Sequence, residues 1–130
     1  MALSADVLRG YTDTIILNRL READSYGYEI NKQISGLSGG VLELKEATLY
    51  TAFRRLENGG YIISYWGNEE TGARRRYYSI TIAGRDRLAE ELAAWKETQK
   101  ALNALLGETG SRPVLKDRQG VEIPVIRVEE

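Results

Sequence analysis

The strongest cluster of charged groups in this sequence is a run of three guanidinium groups, those of Arg74, Arg75 and Arg76. They follow a turn-rich stretch, 67–73, that separates two runs of β-branched and aromatic residues, 61–66 and 76–82. Such runs are typical of paired strands, so we expect the arginines to lie on a β-hairpin. Guanidinium groups form strong hydrogen bonds with phosphate, and a basic hairpin can therefore bind a nucleic-acid backbone. The alternative is that these arginines only solvate an exposed turn.

The helix predicted before this hairpin, roughly Lys45 to Asn58, has one apolar and one polar face. The apolar residues recur at i, i+3, i+4 and i+7 and form the stripe Leu49, Ala52, Phe53 and Leu56. The polar face has short side chains near its start and cations further on, which suits insertion of its N-terminal half into a major groove. The residues expected to approach bases or phosphates are Lys45, Ala47, Thr48, Tyr50, Thr51, Arg54 and Arg55. Gly59-Gly60 then provides a left-handed stop.

A helix of this kind followed by a basic hairpin predicts a winged helix-turn-helix in an α+β, mainly helical fold. The helix would read bases, and the wing would bind phosphates or a neighbouring minor groove of double-stranded DNA. The net charge of −1 is low for a DNA-binding protein. However, residues 45–87 contain eight cations and five anions, a net charge of +3. The basic charge thus lies where the predicted fold places the DNA contact.

The composition excludes several other classes of function. The chain has no histidine and no cysteine, so disulfides, the common zinc sites and most catalytic triads are excluded. We therefore expect no enzyme activity, metal or cofactor. No apolar run approaches the roughly 18 residues of a membrane span, and the N-terminus lacks the features of a signal peptide. A cytoplasmic location is expected.

The N-terminal part is predicted to contain two helices and a short strand. The first helix runs from Ser4 to about Glu22 and has two partly apolar faces, so it is expected to pack on its own domain and on something else. Asp24-Ser25 offers an N-cap for a second helix at about Tyr26 to Ser35. The stretch Val41–Leu44 could form an edge strand beside the hairpin.

The last helix, about Thr81 to Leu106, has apolar residues at the a and d spacing of a coiled coil. These seam positions are Leu88, Leu92, Trp95, Gln99, Leu102 and Leu106. The spacing predicts a seam between two subunits, and a two-fold dimer matches the way helix-turn-helix proteins read paired half-sites. Gln99 is the polar seam position and either fixes the register or faces a ligand.

These patterns divide the chain into three parts. Residues 1–80 are expected to form the winged helix-turn-helix domain, residues 81–106 the dimerisation helix, and residues 107–130 a tail of unknown role. The tail has some alternation around a turn at Asp117–Gly120, so it either pairs as a hairpin or remains a loose appendage.

Two segments, EATLYTAFRRLENGGYI at 46–62 and SYWGNEETGARRRYYSITIAGRDRL at 64–88, resemble the PadR family of transcriptional regulators. Within that family, the run from Leu8 to about Leu106 is similar to the short-tailed subfamily of multidrug-resistance repressors. The resemblance implies a dimeric repressor in which the last helix packs against the first helix of the partner. It also implies a flat pore on the two-fold axis, where planar aromatic compounds stack between Trp95 and its symmetry mate.

By positional match to the family, the pore walls would consist of Val7, Gly10, Thr14, Leu17, Asn18, Leu92, Thr98, Gln99 and Leu102 around Trp95. Four positions depart from the subfamily pattern. Gln99 replaces an acidic residue, Glu91 replaces a small one, and Val7 and Thr14 replace a methionine and a valine. These changes affect the range of compounds that the pore would accept.

Three alternatives stay open. A winged helix can serve protein contact instead of DNA binding. A DNA-binding regulator can lack a small-molecule ligand, in which case Trp95 would fill the dimer core. An apolar pore can also promote simple reactions incidentally.

Two further aromatic residues have expected roles outside the pore. Trp66, at the end of a wing strand, is expected to pack in the core or the wing rather than bind a ligand. Tyr50 is expected to pack its ring against the domain while its hydroxyl contacts a phosphate.

Overall fold

The computed structural model describes residues 8–67, 74–107 and 115–123, and its internal contacts divide the chain into two units, residues 1–94 and 95–130. The elements in chain order are a 3₁₀ turn Arg9–Tyr11, α1 Thr12–Glu22, β1 Ser25–Tyr26, α2 Gly27–Leu37, α3 Glu46–Asn58, β2 Ile62–Trp66, β3 Arg76–Ile80 and α4 Ile82–Leu106. Helices combined with a three-stranded antiparallel sheet confirm the predicted α+β, mainly helical fold class.

An apolar core holds the helices of the first unit against the sheet. All four residues predicted for the inner stripe of α3 are buried, namely Leu49, Ala52, Phe53 and Leu56. The ring of Phe53 stacks on Tyr78 of β3 with the ring centroids 4.0 Å apart, which ties the helix to the sheet. Burying one large apolar side chain contributes about 1.5–3 kcal/mol. The stripe therefore fixes which face of α3 points to solvent.

The sheet has the strand order β1-β3-β2, and β2 and β3 form the predicted hairpin. Its register pairs Trp66 with Arg76, and the Gly67 N–H donates to the carbonyl oxygen of Arg75 at 2.7 Å. Of the predicted wing tip, 67–73, residues 68–73 lie outside the described residues. The backbone of Arg75 and Arg76 at the base of the wing is thus paired with β2 and Gly67.

Strand β1, the start of α2 and the segment before α3 differ from the prediction. The predicted N-cap at Asp24-Ser25 is wrong, because Ser25 belongs to β1 and pairs with β3, while no side chain caps α2. The predicted edge strand Val41–Leu44 is wrong as well, since these residues join no strand. The side chain of Asn31 accepts from the Leu44 N–H at 3.1 Å and donates to the Leu44 carbonyl at 2.7 Å. These two bonds satisfy the backbone of Leu44 without a strand.

The described part of the first helix begins later than predicted and buries one stripe against its own chain. The prediction ran from Ser4 to Glu22, but residues 1–7 lie outside the described residues, and α1 begins at Thr12 after the 3₁₀ turn. The buried residues of α1 are Thr12, Ile16, Leu17 and Leu20. Leu17 is 0% exposed because this stripe faces the core of its own chain. Its predicted position in a pore wall stays a prediction.

Gly60 forms the junction before the hairpin, and Thr81 forms the junction after it. Gly60 has a φ of +79° and follows α3, as the predicted left-handed stop requires. The hydroxyl of Thr81 donates to the Gly60 carbonyl at 2.7 Å and accepts from the Gly84 N–H at 3.0 Å. Thr81 therefore caps the N-terminus of α4 and anchors it to the end of α3.

The second unit contains the last part of α4 and a short turn in the tail. Lys116 and Glu122 form an antiparallel bridge, and the Asp117 carboxylate accepts from the Val121 N–H at 2.9 Å. The turn lies at the residues where the sequence indicated one, 117–120. Within the described ranges, no helix combines the length and apolar character needed to cross a bilayer.

Candidate nucleic-acid interface

The outward face of α3 carries the residues that the sequence predicted to approach DNA. The core stripe lies on one side of the helix, so the opposite side points to solvent. The exposed residues are Lys45, Ala47, Thr48, Tyr50, Thr51, Arg54 and Arg55. Alanine and threonine occupy the first turns and the two arginines follow later. The short side chains allow close approach of the helix to a base-pair edge, while the arginines suit phosphate.

A groove of about 300 Å³ lies between α3 and the 3₁₀ turn that leads into α1. The residues that line it are Arg9, Thr12, Ala47, Thr48, Thr51 and Arg55. Arg9 lies on the 3₁₀ turn and is exposed, so it adds a second guanidinium group to this part of the surface. The sequence prediction missed Arg9, because no local pattern indicates that the start of α1 lies beside α3.

Arg55 lines this groove and is also paired within the chain. Its Nε donates to Oδ2 of Asp13 at 3.1 Å, and its Nη2 donates to Oδ1 of the same carboxylate. The hydrogen bond with Asp13 raises the pKa of Arg55 and outweighs the lowering by desolvation. About half of the Arg55 side chain stays exposed, at 53%. The sequence prediction did not find this pair, because its members are 42 positions apart.

Asp13 connects Arg55 to a second arginine, on α4. Arg87 Nη2 donates to Asp13 Oδ2 at 3.1 Å, and Arg87 Nε donates to Glu91 Oε1 at 2.8 Å. Burial lowers the pKa of Arg87, but the hydrogen bond and charge of Glu91, together with Asp13, shift it upward overall. The Thr14 hydroxyl donates to Glu91 Oε2. The two residues that depart from the subfamily pattern in this region, Thr14 and Glu91, are therefore partners of each other.

An aromatic ring lies beside each of the three wing arginines, and the centre of the Tyr78 ring is 5.8 Å from the Arg76 guanidinium carbon. The Arg74 guanidinium carbon lies 5.7 Å from the centre of the Trp66 ring, and that of Arg75 lies 4.7 Å from the centre of the Tyr26 ring. Cation–π contacts at these distances orient a guanidinium group without neutralising it. The Trp66 side chain is 57% exposed, so it packs in the wing and not in the core. Of its two predicted roles, the core role is wrong.

A carboxylate pairs with Arg76 at the base of the wing. Its Nη2 lies 3.3 Å from Glu57 Oε2 and donates to Ser64 Oγ at 2.8 Å. The Ser64 hydroxyl in turn donates to Glu57 Oε1 at 2.6 Å. This closed triangle fixes the base of the wing to the end of α3 and offsets part of the charge of Arg76.

A second cavity, of about 520 Å³, joins the wing to α3. Its lining residues are Tyr26, Gly27, Tyr28, Tyr50, Trp66, Arg74, Arg75 and Arg76. The ring of Tyr50 packs edge-on against Phe53, with the centroids 5.7 Å apart, and its hydroxyl oxygen would lie 2.9 Å from a Cβ at Gly27. A glycine at position 27 is therefore what lets Tyr50 lie over α2. The outer face of α3 and the wing form one aromatic and basic surface.

The residues predicted for a ligand pore have different environments. In the first unit, Gly10 is exposed, while Thr14, Asn18 and Leu92 are half-buried. Oδ1 of Asn18 is buried and has no hydrogen-bond partner among the described residues. Four more of these residues belong to the second unit and are exposed: Trp95, Thr98, Gln99 and Leu102. Val7 lies outside the described residues.

These elements define a winged helix-turn-helix protein whose exposed helix and hairpin are suited to binding DNA. A sequence model described as the transcriptional regulator PadR-like family matches residues 16–90. The chain belongs to this family, so it is a DNA-binding transcriptional regulator and not an enzyme. This confirms the predicted family, regulatory class and DNA partner.

Similar proteins agree with this assignment. A transcriptional regulator from Clostridium thermocellum is 50% identical, with a TM-score of 0.72, over 79% of this chain and 97% of its own. A PadR family transcription regulator from Clostridium difficile R20291 is 40% identical, with a TM-score of 0.67, over 75% and 99%. An uncharacterised protein of Lysinibacillus sphaericus is 39% identical over 102 residues, which are 78% of this chain and 94% of that protein.

Proposed function

We propose that this regulator is a homodimeric repressor that binds an operator through α3 and the wing, and that releases it when a planar aromatic compound binds between the subunits. The observation that carries the proposal is the continuous basic and aromatic surface formed by the outer face of α3 and the base of the wing. This surface has the two parts that DNA recognition needs. Short side chains can approach base edges, and arginines can bind phosphates.

Each part of the surface has a distinct role in this proposal. The α3 residues that approach bases or phosphates are Ala47, Thr48, Tyr50, Thr51 and Arg54, with Lys45 and Arg55 on the backbone. In the wing, Arg74, Arg75 and Arg76 anchor the hairpin to DNA. Glu57 offsets part of the charge of Arg76, and the rings of Trp66 and Tyr26 orient the guanidinium groups of Arg74 and Arg75.

The wing assignment predicts a change in the salt dependence of DNA binding. Each neutralised phosphate contributes about 0.9 to the slope of log affinity against log salt. Arg74→Gln combined with Arg75→Gln removes four guanidinium groups from the two wings of a dimer and should reduce the slope by about 3.6. Fluorescence anisotropy of a labelled 30-base-pair duplex of mixed sequence, titrated at several salt concentrations, measures this slope. Arg21→Gln combined with Arg85→Gln removes two charges elsewhere and should leave the slope unchanged. A wild-type slope in the wing variant would rule out the wing contact.

Two features of the chain support a dimer with a ligand site. Several apolar residues of α4 beyond Leu88 are exposed in a single chain, including Trp95 at 38% and Leu102 at 44%. The buried Oδ1 of Asn18 lacks a partner among the described residues, and a second subunit or a ligand would supply one. The resemblance to the lactococcal multidrug-resistance repressor, LmrR, supplies the remaining support for paired Trp95 rings around a planar compound.

The ligand would act by shifting a population of dimer arrangements. It can do so only if its affinity differs between the DNA-bound and the released arrangement of the two winged domains. Charge selectivity should be modest. Gln99 carries no charge, and the Glu91 carboxylate already accepts hydrogen bonds from Arg87 and Thr14. We therefore expect planarity and apolar area, more than positive charge, to determine which compounds bind.

Tryptophan fluorescence tests the ligand site. Titration of the wild-type protein with ethidium should give saturable quenching, because a planar aromatic ring would stack on Trp95. Quenching should persist in Trp66→Phe and disappear in Trp95→Ala. The two variants are needed together because the chain has two tryptophans, and both emit. If no protein shows saturable quenching, the chain is a DNA-binding regulator without this ligand site.

A further inference from the structure

The groove between the 3₁₀ turn and α3 has the chemistry of a phosphate site. Phosphate oxygens accept hydrogen bonds from guanidinium and hydroxyl groups, and the lining includes Arg9, Arg55, Thr48 and Thr51. The hydroxyl of the third lining threonine, Thr12, donates to the Leu8 carbonyl. None of the six lining side chains is acidic. A water molecule takes up about 30 Å³ of liquid volume, so a groove of about 300 Å³ has room for one phosphate and several waters.

We propose that this groove holds one backbone phosphate of bound DNA, and that Asp13 is the counter-ion which the phosphate displaces from Arg55. The proposal rests on DNA binding through the outward face of α3 and adds two residues to it. Arg9 becomes a phosphate contact supplied by the segment before α1. Asp13 becomes a residue that limits DNA affinity.

The exposures of the paired groups indicate which of them moves. The Asp13 side chain is 14% exposed and is held by hydrogen bonds from two arginines, whereas the Arg55 side chain is 53% exposed and lines the groove. Arg55 can therefore turn towards solvent while the carboxylate stays in position. A surface arginine is held by its ion pair with only modest energy, so a phosphate in the groove can compete for it.

Arg87 keeps Asp13 paired with a cation when Arg55 changes its partner. When Arg55 turns to a phosphate, Asp13 keeps the hydrogen bond from Arg87 Nη2 at 3.1 Å. The exchange therefore leaves no largely buried carboxylate without a cation, which would carry a large penalty. In the free protein the same arrangement offsets the charge of Arg55 and weakens attraction to DNA of any sequence.

The first test replaces Arg9. Arg9→Gln should weaken binding of a mixed-sequence 30-base-pair duplex about five- to tenfold and reduce the salt slope by about 1.8, as loss of one phosphate contact in each subunit of a dimer does. Arg21→Gln is the matched control, because Arg21 is also an exposed arginine and lies about 18 Å further along the same helical segment. If the two variants bind DNA with the same affinity and salt slope, Arg9 contacts no phosphate and the site is wrong.

The second test replaces Asp13. Asp13→Asn removes the competing charge, so it should tighten DNA binding about three- to tenfold and leave the salt slope unchanged, because Arg55 contacts the same phosphate in both proteins. This gain should vanish when Arg55→Gln is added, because no guanidinium group is then released. Weaker binding by Asp13→Asn, with a circular dichroism spectrum like that of the wild type, would instead make Asp13 a residue that positions Arg55 and would overturn its role as a competitor.

The two tests separate this inference from the proposed function. If Asp13→Asn does not fold, Arg9→Gln still decides whether the groove binds phosphate. The wing variant with Arg74→Gln and Arg75→Gln is measured in the same series. Normal behaviour of the groove variants together with weakened binding by the wing variant would reject the groove alone. An unchanged salt slope in the wing variant would reject the wing contact of the proposed function.

Discussion

Gly84, in the first turn of α4, packs against the backbone of Tyr61. A Cβ built at this position would overlap the Tyr61 carbonyl oxygen and lie 2.7 Å from Cγ1 of Ile80. Neither the carbonyl group nor the buried isoleucine can move far, because Tyr61 O also accepts from the Thr81 N–H at 3.0 Å. Gly84→Ala should therefore lower the free energy of unfolding by about 1–3 kcal/mol, the usual cost of overpacking. Urea denaturation followed by circular dichroism measures this difference.

Gly36 provides the matched control for this prediction. It also lies in a helix, but no atom lies within 4 Å of a Cβ built there. Gly36→Ala should raise the free energy of unfolding by about 0.4–1 kcal/mol, because alanine loses less chain entropy on folding. Equal effects of the two substitutions would mean that helix propensity, and not close approach of two backbones, determines the result at Gly84.

At the scale of helices and strands, the sequence predicted the elements whose signal is local. The inner stripe of α3 repeats with the helical period, and Gly59-Gly60 marks the C-terminal end of that helix. The β2–β3 hairpin follows from two β-branched and aromatic runs around a turn. In each of these elements, neighbouring residues in the chain carry enough information to select the structure.

Elements that depend on distant partners were missed. Strand β1 has only two residues, too few for any alternation, and it exists because β3 offers an open edge. The segment before α3 is held by the Asn31 side chain instead of a strand, across 13 positions. In the candidate interface, the exposed face of α3 was predicted from periodicity, but the Asp13–Arg55 pair was not. Its partners meet only when α1 and α3 pack together.

At the scale of the whole molecule, α4 is a long helix, and one chain buries little of its surface. Its 25 residues span about 37 Å, yet only Gly84 and Leu88 are buried. A helix gains most of its stability in water from packing of its apolar face. Because Trp95, Leu102 and Leu106 are exposed in one chain, we expect them to pack against a second copy.

This argument predicts a dimer whose stability depends on the seam. Sedimentation equilibrium should give twice the chain mass of 14.6 kDa for the wild type. Leu102→Glu places a charge in the seam of both subunits, so it should cost about 3 kcal/mol or more and raise the dimer dissociation constant over about a hundredfold. Lys100→Glu changes an exposed residue two positions away, outside the seam, and should leave the dimer intact. If Leu102→Glu sediments as the wild type does, this seam does not hold the subunits together, and paired Trp95 rings would need another interface.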